Sequence, residues 1–158
     1  NNNFYKENIN TQNFFNVDLE KNDLPFSNDF FDVVYSKSFI EHFYYPEKIF
    51  VEAHRVLKNR GKFINLTPDW EIIFKEFYDD YTHRTPFTVN SLKEIYLING
   101  FQNVKVKKFK QLPSLWNNNF FLKIFSEFTR HFMPKDLKNK SKWIRFSKEI
   151  MLIGYGEK

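Results

Sequence analysis

The chain has 158 residues, of which 42% are hydrophobic and 20% are aromatic. So much apolar material excludes a disordered chain and suffices for one domain with a core of its own. Cysteine is absent, which excludes a disulfide framework, a zinc–thiolate site and a cysteine nucleophile. Since no run of about 18 apolar residues is present either, we predict a cytoplasmic protein.

The net charge of +5 is unevenly distributed along the chain. Residues 104–148 contain 12 Lys and Arg but only two acidic residues, so the rest of the chain is weakly acidic. A basic segment of this kind can attract phosphates, membrane surfaces or nucleic acid. It can equally be a solvated basic face, and the charge pattern leaves these alternatives open.

The first elements alternate between strand and helix patterns. Residues 14–19 and 31–36 are rich in residues that favour strands and are separated by a loop with turn-forming residues. Pro46 then opens a helix with apolar residues at helical spacing, and Gly61 is predicted to end it. Residues 62–68 form the next predicted strand.

The second half of the chain continues the same alternation. After an irregular connection at 69–87, Thr88 or Asn90 caps a helix that ends at Gly100. Strands are predicted at 104–107 and 149–155. Strands alternating with helices predict an α/β fold with mostly parallel pairing. Because ligands of such sheets bind beyond the carboxyl ends of the strands, we expect the chemistry just after residues 19, 36 and 67.

Five short motifs occur in an order typical of one enzyme family. They are VDL at 17–19, LPF at 24–26, FDVVYS at 31–36, EHF at 41–43 and RVLKNRG at 55–61. In this order they resemble the class I S-adenosylmethionine (SAM) dependent methyltransferases, and in particular the type 11-like members. Asn59 and Arg60 depart from the family pattern, which often has Pro-Gly there.

The resemblance implies a partial Rossmann-like sheet made of strands 3 to 7 of the family, whose full strand order is 3-2-1-4-5-7-6. Residues 1–158 would form a single partial domain, with a helical basic insertion at 111–148 before the last strand. The resemblance also implies SAM as the cofactor. In this family Asp18 would accept a hydrogen bond from the adenine amino group, and the backbone N–H of Leu19 would face adenine N1.

Ser36 and Lys37 would lie beside the methionine and sulfonium parts of SAM. Simpler roles stay open, because Asp18 can be a turn residue at a strand end and Ser36 can cap the following helix. The Gly-rich loop that the family uses to hold SAM has no counterpart, since the first glycine is Gly61. We therefore expect an N-terminally truncated domain that is inactive alone, with the missing half lost or supplied by another chain.

Three residues are predicted to carry the catalysis: His42, His83 and Glu41. The predicted reaction is O-methylation of a small-molecule, saccharide or lipid-linked acceptor, because imidazole titrates near neutral pH and can deprotonate a hydroxyl. His42 can instead shape the pocket and His83 can be a loop hydrogen-bonder. The Glu-His pair also resembles the metal ligands of small-RNA 3′-end methyltransferases. Ser38 stands where that motif has a further Glu, so no metal is predicted.

Aromatic residues from Trp116 to Phe132 recur on one face of a predicted helix, and basic residues follow to position 145. This helix can be a lid or core element, or it can touch an anionic membrane as a peripheral contact. The alternative function is therefore a non-catalytic module that binds anionic membrane through residues 116–145. Nucleic acid is not predicted as a partner, because no nucleic-acid-reading motif accompanies the charge.

Overall fold

A computed structural model of the chain describes residues 14–116, 120–134 and 141–158. Its strands are β1 (Phe31–Lys37), β2 (Leu57–Pro68), β3 (Gln102–Lys110) and β4 (Ile150–Glu157). The helices are α1 (Glu47–Val56), α2 (Trp70–Ile73), α3 (Val89–Ile98), α4 (Phe120–Phe132) and α5 (Lys142–Lys148). Short 3-10 turns occur at Ile40–His42, Phe77–Asp79 and Pro113–Leu115.

The four strands form one mixed sheet in the order β1-β2-β4-β3. β1 and β2 run parallel, with Ser36 opposite Asn65. β4 lies antiparallel between β2 and β3. This is the order 4-5-7-6 that the resemblance implies for the last four strands, so the predicted α/β methyltransferase-like fold class is confirmed.

The strand predicted at 14–19 is wrong. Residues 14–18 have no regular structure, and Leu19 lies in a turn in which Lys21 N and Asn22 N donate to the Asp18 carbonyl at 3.1 and 2.8 Å. A strand needs a neighbouring strand to pair with. In the described sheet β1 is an edge strand and no partner adjoins residues 14–19, so the strand-like composition does not produce a strand.

The end of α1 also differs from the prediction. The helix ends at Val56, and Gly61 lies inside β2. Arg60 N donates to the Lys158 carbonyl and Lys158 N donates to the Gly61 carbonyl, both at 3.0 Å. Pairing with the end of the chain therefore draws residues 57–61 into the sheet, at the cost of a positive φ of 65° at Arg60.

An aromatic cluster fills the core between the sheet and the two longer helices that flank it. Phe50 of α1 meets Phe63 of β2 edge to face at 5.2 Å and Tyr96 of α3 at 4.9 Å between ring centroids. All three rings are fully buried. A Cβ atom at Gly154 of β4 would come within 2.7 Å of Tyr96, so glycine allows this ring to pack closely against the strand.

The predicted boundaries of α3 are confirmed. Thr88, one of the two predicted caps, accepts a hydrogen bond from Ser91 N and forms a capping box with Ser91. Gly100 follows the helix with a φ of 87°, a conformation that glycine adopts without strain. In the described part of the chain, no helix has the length and apolar character needed to cross a membrane.

Candidate functional site

The carboxyl ends of β1 and β2 meet at one edge of the sheet because the two strands are parallel. The turn Ile40–His42 follows β1, and the irregular connection at 69–87 follows β2. Ser38 N donates to the Leu66 carbonyl at 2.8 Å, which ties the chain after β1 to the neighbouring strand. The segments after residues 36 and 67, where the sequence predicts the site, therefore lie next to each other at this edge.

Backbone hydrogen bonds bring the two segments together. The carbonyl of Glu41 accepts from Arg84 N at 2.7 Å and from Thr85 N at 3.1 Å. Thr85 Oγ1 donates to the Phe43 carbonyl at 2.7 Å. As a result the rings of His42 and His83, far apart in sequence, lie 4.9 Å apart between centroids.

Glu41 is the buried acid of this site, with 0% of its surface exposed. Its Oε2 accepts from Thr67 Oγ1 at 2.9 Å, while its Oε1 has no hydrogen-bond partner among the described residues. Burial raises the pKa of the Glu41 carboxyl, because the charged form loses its hydration. One oxygen of this buried carboxyl group therefore has an unused hydrogen-bonding or metal-binding capacity.

The tautomer of His83 follows from its partner. His83 Nδ1 lies 2.6 Å from the Phe77 carbonyl oxygen. A carbonyl can only accept, so Nδ1 carries the proton and Nε2 of the neutral ring has a free lone pair. The ring also packs against fully buried Phe77 at 4.5 Å between centroids, which fixes its plane.

The tautomer of His42 follows from a relay through Thr82. Thr82 Oγ1 lies 2.6 Å from Asp80 Oδ1 and 2.9 Å from His42 Nδ1. Hydrogen bonds from Thr82 hold the pKa of Asp80 below its usual value, so this carboxylate accepts the single hydroxyl proton. Thr82 must then accept from His42 Nδ1–H, which leaves the lone pair on His42 Nε2.

The three predicted catalytic residues therefore form one cluster of acceptors. Glu41, His42 and His83 each offer an oxygen or nitrogen atom, and these atoms lie within 4.8 Å of one another. Each neutral ring has one lone pair, on Nε2, and the Glu41 carboxyl group has one oxygen without a hydrogen-bond partner among the described residues. Such a set can accept a proton from a substrate, or it can hold a divalent metal ion.

The cluster opens into a pocket of about 500 Å³ at the sheet edge. α5 and the residue after it contribute Arg145, Phe146 and Glu149 to its lining. Arg145 Nε pairs with Glu149 Oε2 at 3.0 Å. The pocket therefore has both apolar and charged walls, and residues between the last two strands of the chain form part of them.

Three of the four predicted cofactor residues share a second pocket. Leu19, Ser36 and Lys37 line a space of about 380 Å³ with mostly apolar walls. Ser36 Oγ accepts from Asn65 Nδ2 at 2.6 Å. Asp18 lies apart: its carboxylate pairs with Lys21 Nζ at 3.0 Å, and it lines neither this pocket nor the one at the cluster.

Lys37 lines both pockets, so it stands between the predicted cofactor residues and the catalytic cluster. Sequence reasoning did not single out Thr67, Thr82 and Arg145. Thr82 has a weak local signal, since an Asp two residues before a Thr often forms a side-chain hydrogen bond. Thr67 and Arg145 have none, because their partners are distant in sequence.

Comparison with known proteins agrees with this fold. The family described as "Methyltransferase domain" matches residues 2–65. No curated protein matches the chain.

Solved methyltransferase structures share the fold at low sequence identity. A SAM-dependent methyltransferase from Archaeoglobus fulgidus has 18% identity and a TM-score of 0.57, over 89% of this chain and 63% of that one. One from Mesorhizobium loti has 13% identity and a TM-score of 0.60, over 90% and 68%. Phosphoethanolamine N-methyltransferase 2 of Haemonchus contortus, in complex with S-adenosyl-L-methionine, has 19% identity and a TM-score of 0.52, over 84% and 34%.

The family model matches residues 2–65, and the strand order agrees with the fold that these solved methyltransferases share. The chain spans 63% of the Archaeoglobus fulgidus protein.

Proposed function

We propose that the protein transfers the methyl group of SAM to a hydroxyl oxygen of a small acceptor bound at the Glu41–His42–His83 cluster. The single observation behind this proposal is that two imidazoles and a buried carboxyl group each bring one ligand atom to within 4.8 Å of the others. A hydroxyl must lose a proton when it attacks a methyl group. The cluster has the acceptors for that proton.

The second pocket supports SAM as the methyl donor. Its walls include Leu19, Val34, Phe39 and Phe63, a surface that suits a planar apolar group such as adenine. Bound there, SAM supplies the electrophilic methyl group. Lys37, which lines both pockets, stands where the methionine end of the cofactor would approach the acceptor.

The catalytic step assigns separate tasks to the three residues. His42 or His83 takes the hydroxyl proton at Nε2 as the oxygen–methyl bond forms. The nearby Glu41 carboxylate then stabilises the imidazolium, since opposite charges attract strongly at a buried site. The backbone bonds from Arg84 and Thr85 to Glu41 hold the acceptor groups in position before reaction.

The acceptor class is proposed from the cluster's pocket. A volume of about 500 Å³ fits a small molecule or a saccharide unit, and the mixed lining offers both apolar and charged contacts. O-methylation is favoured over N-methylation because the cluster is built to remove a proton that a neutral amine does not need to lose before attack.

The test combines the chain with the Gly-rich N-terminal half of a family relative and follows radiolabelled methyl transfer from SAM. A panel of hydroxyl and amine acceptors identifies the substrate class. His83→Gln is expected to lower transfer to the hydroxyl acceptor by about 10²-fold or more while leaving SAM binding intact. His54→Gln is the matched control, since His54 packs against Phe101 and lines neither pocket. Transfer only to amines, or full activity of His83→Gln, contradicts the proposal.

The α4 helix favours a second role, a peripheral contact with anionic lipid that can present a lipid-linked acceptor. Its buried face is polar: Ser126 is 0% and Thr129 1% exposed. Its apolar face points outward, with Phe121 81% and Phe132 73% exposed. This pattern is the reverse of a core helix and is typical of helices that lie in a membrane interface.

The groove beside α4 favours anionic lipids. A groove of about 770 Å³ between β3 and α4 is lined by four lysines together with Trp116, Phe120 and Ile124. The lysines are Lys107, Lys108, Lys110 and Lys123. Lys108 pairs with Asp69 and Glu71, and Lys110 pairs with Glu127, which also lines the groove. Aromatic walls with an excess of lysines over acids are complementary to an anionic headgroup with its acyl chain. The comparisons give no support to the alternative of a module without catalytic activity.

Co-sedimentation with vesicles tests this contact. The chain is expected to bind phosphatidylcholine vesicles that contain phosphatidylserine and to bind pure phosphatidylcholine vesicles more weakly. Phe121→Ser with Phe125→Ser should abolish binding. Leu97→Ser with Ile98→Ser is the matched control, because these are exposed apolar residues on α3. Equal binding by both double variants, or none by the parent chain, contradicts the contact.

A further inference from the structure

We propose that the Glu41–His42–His83 cluster, with Asp80 beside it, is a binding site for a divalent transition-metal ion such as Zn²⁺ or Mn²⁺. The sequence predicted no metal, because Ser38 stands where a further carboxylate ligand would be needed. The structure brings Glu41, His42 and His83 together, and a site made of these three groups does not need a ligand at position 38.

The donor set is the first argument. Two imidazoles and one carboxylate are the ligands found in many catalytic zinc and related transition-metal sites. Ligand atoms about 2.1 Å from one ion lie no more than about 4.2 Å apart. The ligand atoms of the cluster lie within 4.8 Å of one another, so the widest pair has to approach by only roughly 1 Å.

The hydrogen-bond partners of the two imidazoles are the second argument. A metal-binding histidine usually donates its other ring N–H to a carbonyl, carboxylate or hydroxyl, which orients the ring and directs the lone pair at the metal. His83 does so to the Phe77 carbonyl at 2.6 Å. His42 does so to Thr82 Oγ1 at 2.9 Å, and Thr82 in turn bonds Asp80 Oδ1 at 2.6 Å.

The unpartnered carboxylate oxygen is the third, independent argument. Glu41 is fully buried, its Oε2 is occupied by Thr67, and its Oε1 has no partner among the described residues. A buried carboxylate oxygen without a hydrogen bond destabilises the fold, because the hydration that it loses is not replaced. A cation held between Oε1 and the imidazole nitrogens removes this destabilisation.

Asp80 lies beside the cluster and outside its set of ligand atoms. Its Oδ2 lies 3.9 Å from His83 Nε2, too far for a hydrogen bond, and its Oδ1 accepts from Thr82, which contacts His42. Asp80 therefore supports the site through the hydrogen bonds that orient His42. Asp80 also lines the same pocket as the cluster, so an acceptor bound there can reach a remaining position on the ion.

The consequence for catalysis rests on the proposed function. Without an ion, one imidazole takes the hydroxyl proton as proposed above. With an ion bound, Glu41, His42 and His83 would hold it, and the ion would replace the imidazole as the group that activates the acceptor hydroxyl by lowering its pKa. Metal binding itself requires neither SAM nor acceptor, so it can be tested apart from the methyltransferase activity.

The experiment titrates Co²⁺ into the chelator-treated chain and follows the visible absorption of the bound ion, with calorimetry for Zn²⁺. One equivalent should bind, and Mg²⁺ should not compete because it prefers oxygen ligands. His83→Gln and Glu41→Gln should each weaken binding by at least 10-fold. Thr82→Val, which touches His42 but offers no ligand itself, should weaken it by about 10–100-fold.

His54→Gln and His131→Gln are the matched controls, since both remove a histidine outside the cluster. They are expected to bind the ion like the parent chain. Circular dichroism checks that each variant is folded, and if Glu41→Gln fails to fold, His83→Gln and Thr82→Val carry the test. No Co²⁺ absorption in the parent chain, or absorption unchanged in His83→Gln, overturns the proposal.

Discussion

Thr67 shows how one small side chain supports the site. Its hydroxyl is fully buried and donates to Glu41 Oε2 at 2.9 Å, which makes it the side-chain donor to that carboxylate in the described structure. The hydrogen bond lowers the pKa of Glu41, but the loss of hydration on burial outweighs it. The buried charged form of Glu41 thus remains unfavourable, and a bound cation would stabilise it.

Replacing the Thr67 hydroxyl tests how much its hydrogen bond offsets the loss of hydration at Glu41. Thr67→Val keeps the shape and removes the donor, so we expect the free energy of unfolding to fall by about 1–3 kcal/mol at neutral pH. Urea unfolding measures the change. In the background of Glu41→Gln, whose side chain is neutral, the same substitution should cost less, and the double-mutant cycle gives the coupling. Equal cost in both backgrounds contradicts a direct interaction between the two side chains.

Thr82 shows which feature of the site the sequence could not predict. The sequence identified Glu41, His42 and His83 as chemistry-bearing residues, since acids and histidines near a strand end are few. It could not identify which imidazole nitrogen carries the proton, because that depends on Thr82 and on the Phe77 carbonyl. Such partners become visible only when the segments at 40–42 and 77–83 are placed side by side.

Among the elements, α1 connects the loop before β1 to the core. Glu52 of α1 is 4% exposed and accepts from Leu24 N at 2.7 Å. Arg55 bonds Glu52 Oε1 at 2.8 Å and donates to the carbonyls of Leu24 and Phe26. Two neighbouring side chains of one helix thus hold the loop that closes the second pocket.

This arrangement predicts a pH-dependent stability. The ion pair with Arg55 holds the pKa of the Glu52 carboxyl below its usual value, so the folded pKa is lower than the unfolded one. The charged Glu52 carboxylate therefore stabilises the fold fully at pH values above the unfolded pKa of about 4.5. This stabilisation is lost as the pH falls through the folded pKa. We expect Glu52→Gln to cost about 1.5–3 kcal/mol at neutral pH and less in acid, measured by urea unfolding. A cost that does not shrink in acid contradicts the assignment.

Sequence patterns predicted some boundaries of the helices and strands correctly and others wrongly. The patterns predicted α3 and its Thr88 cap because helix ends are encoded locally. The strand predicted at 14–19 and the end of α1 at Gly61 failed because each depends on what the chain pairs with. Residues 14–19 have no neighbouring strand in the described sheet, and residues 57–61 are recruited by the end of the chain.

On the scale of the whole molecule, the sheet order explains why the sites lie where they do. The parallel pair β1 and β2 directs two strand ends to one edge, and the antiparallel β4 returns the chain so that α5 reaches the same edge. The order followed from the resemblance and is confirmed by the structure. The reversed amphipathic character of α4 could not be predicted, because the sequence shows an apolar face without showing which side it turns to.

We propose that this fold binds SAM next to the acceptor cluster. The most direct test is calorimetric titration of SAM into the chain fused to the Gly-rich N-terminal half of a family relative. We predict that the fused protein binds SAM and that Leu19→Asp, which puts a charge into the apolar second pocket, weakens binding by about 10-fold or more. Leu97→Asp on the exposed face of α3 should bind like the parent. Unchanged binding in Leu19→Asp, or no binding by the fused parent, would contradict the account.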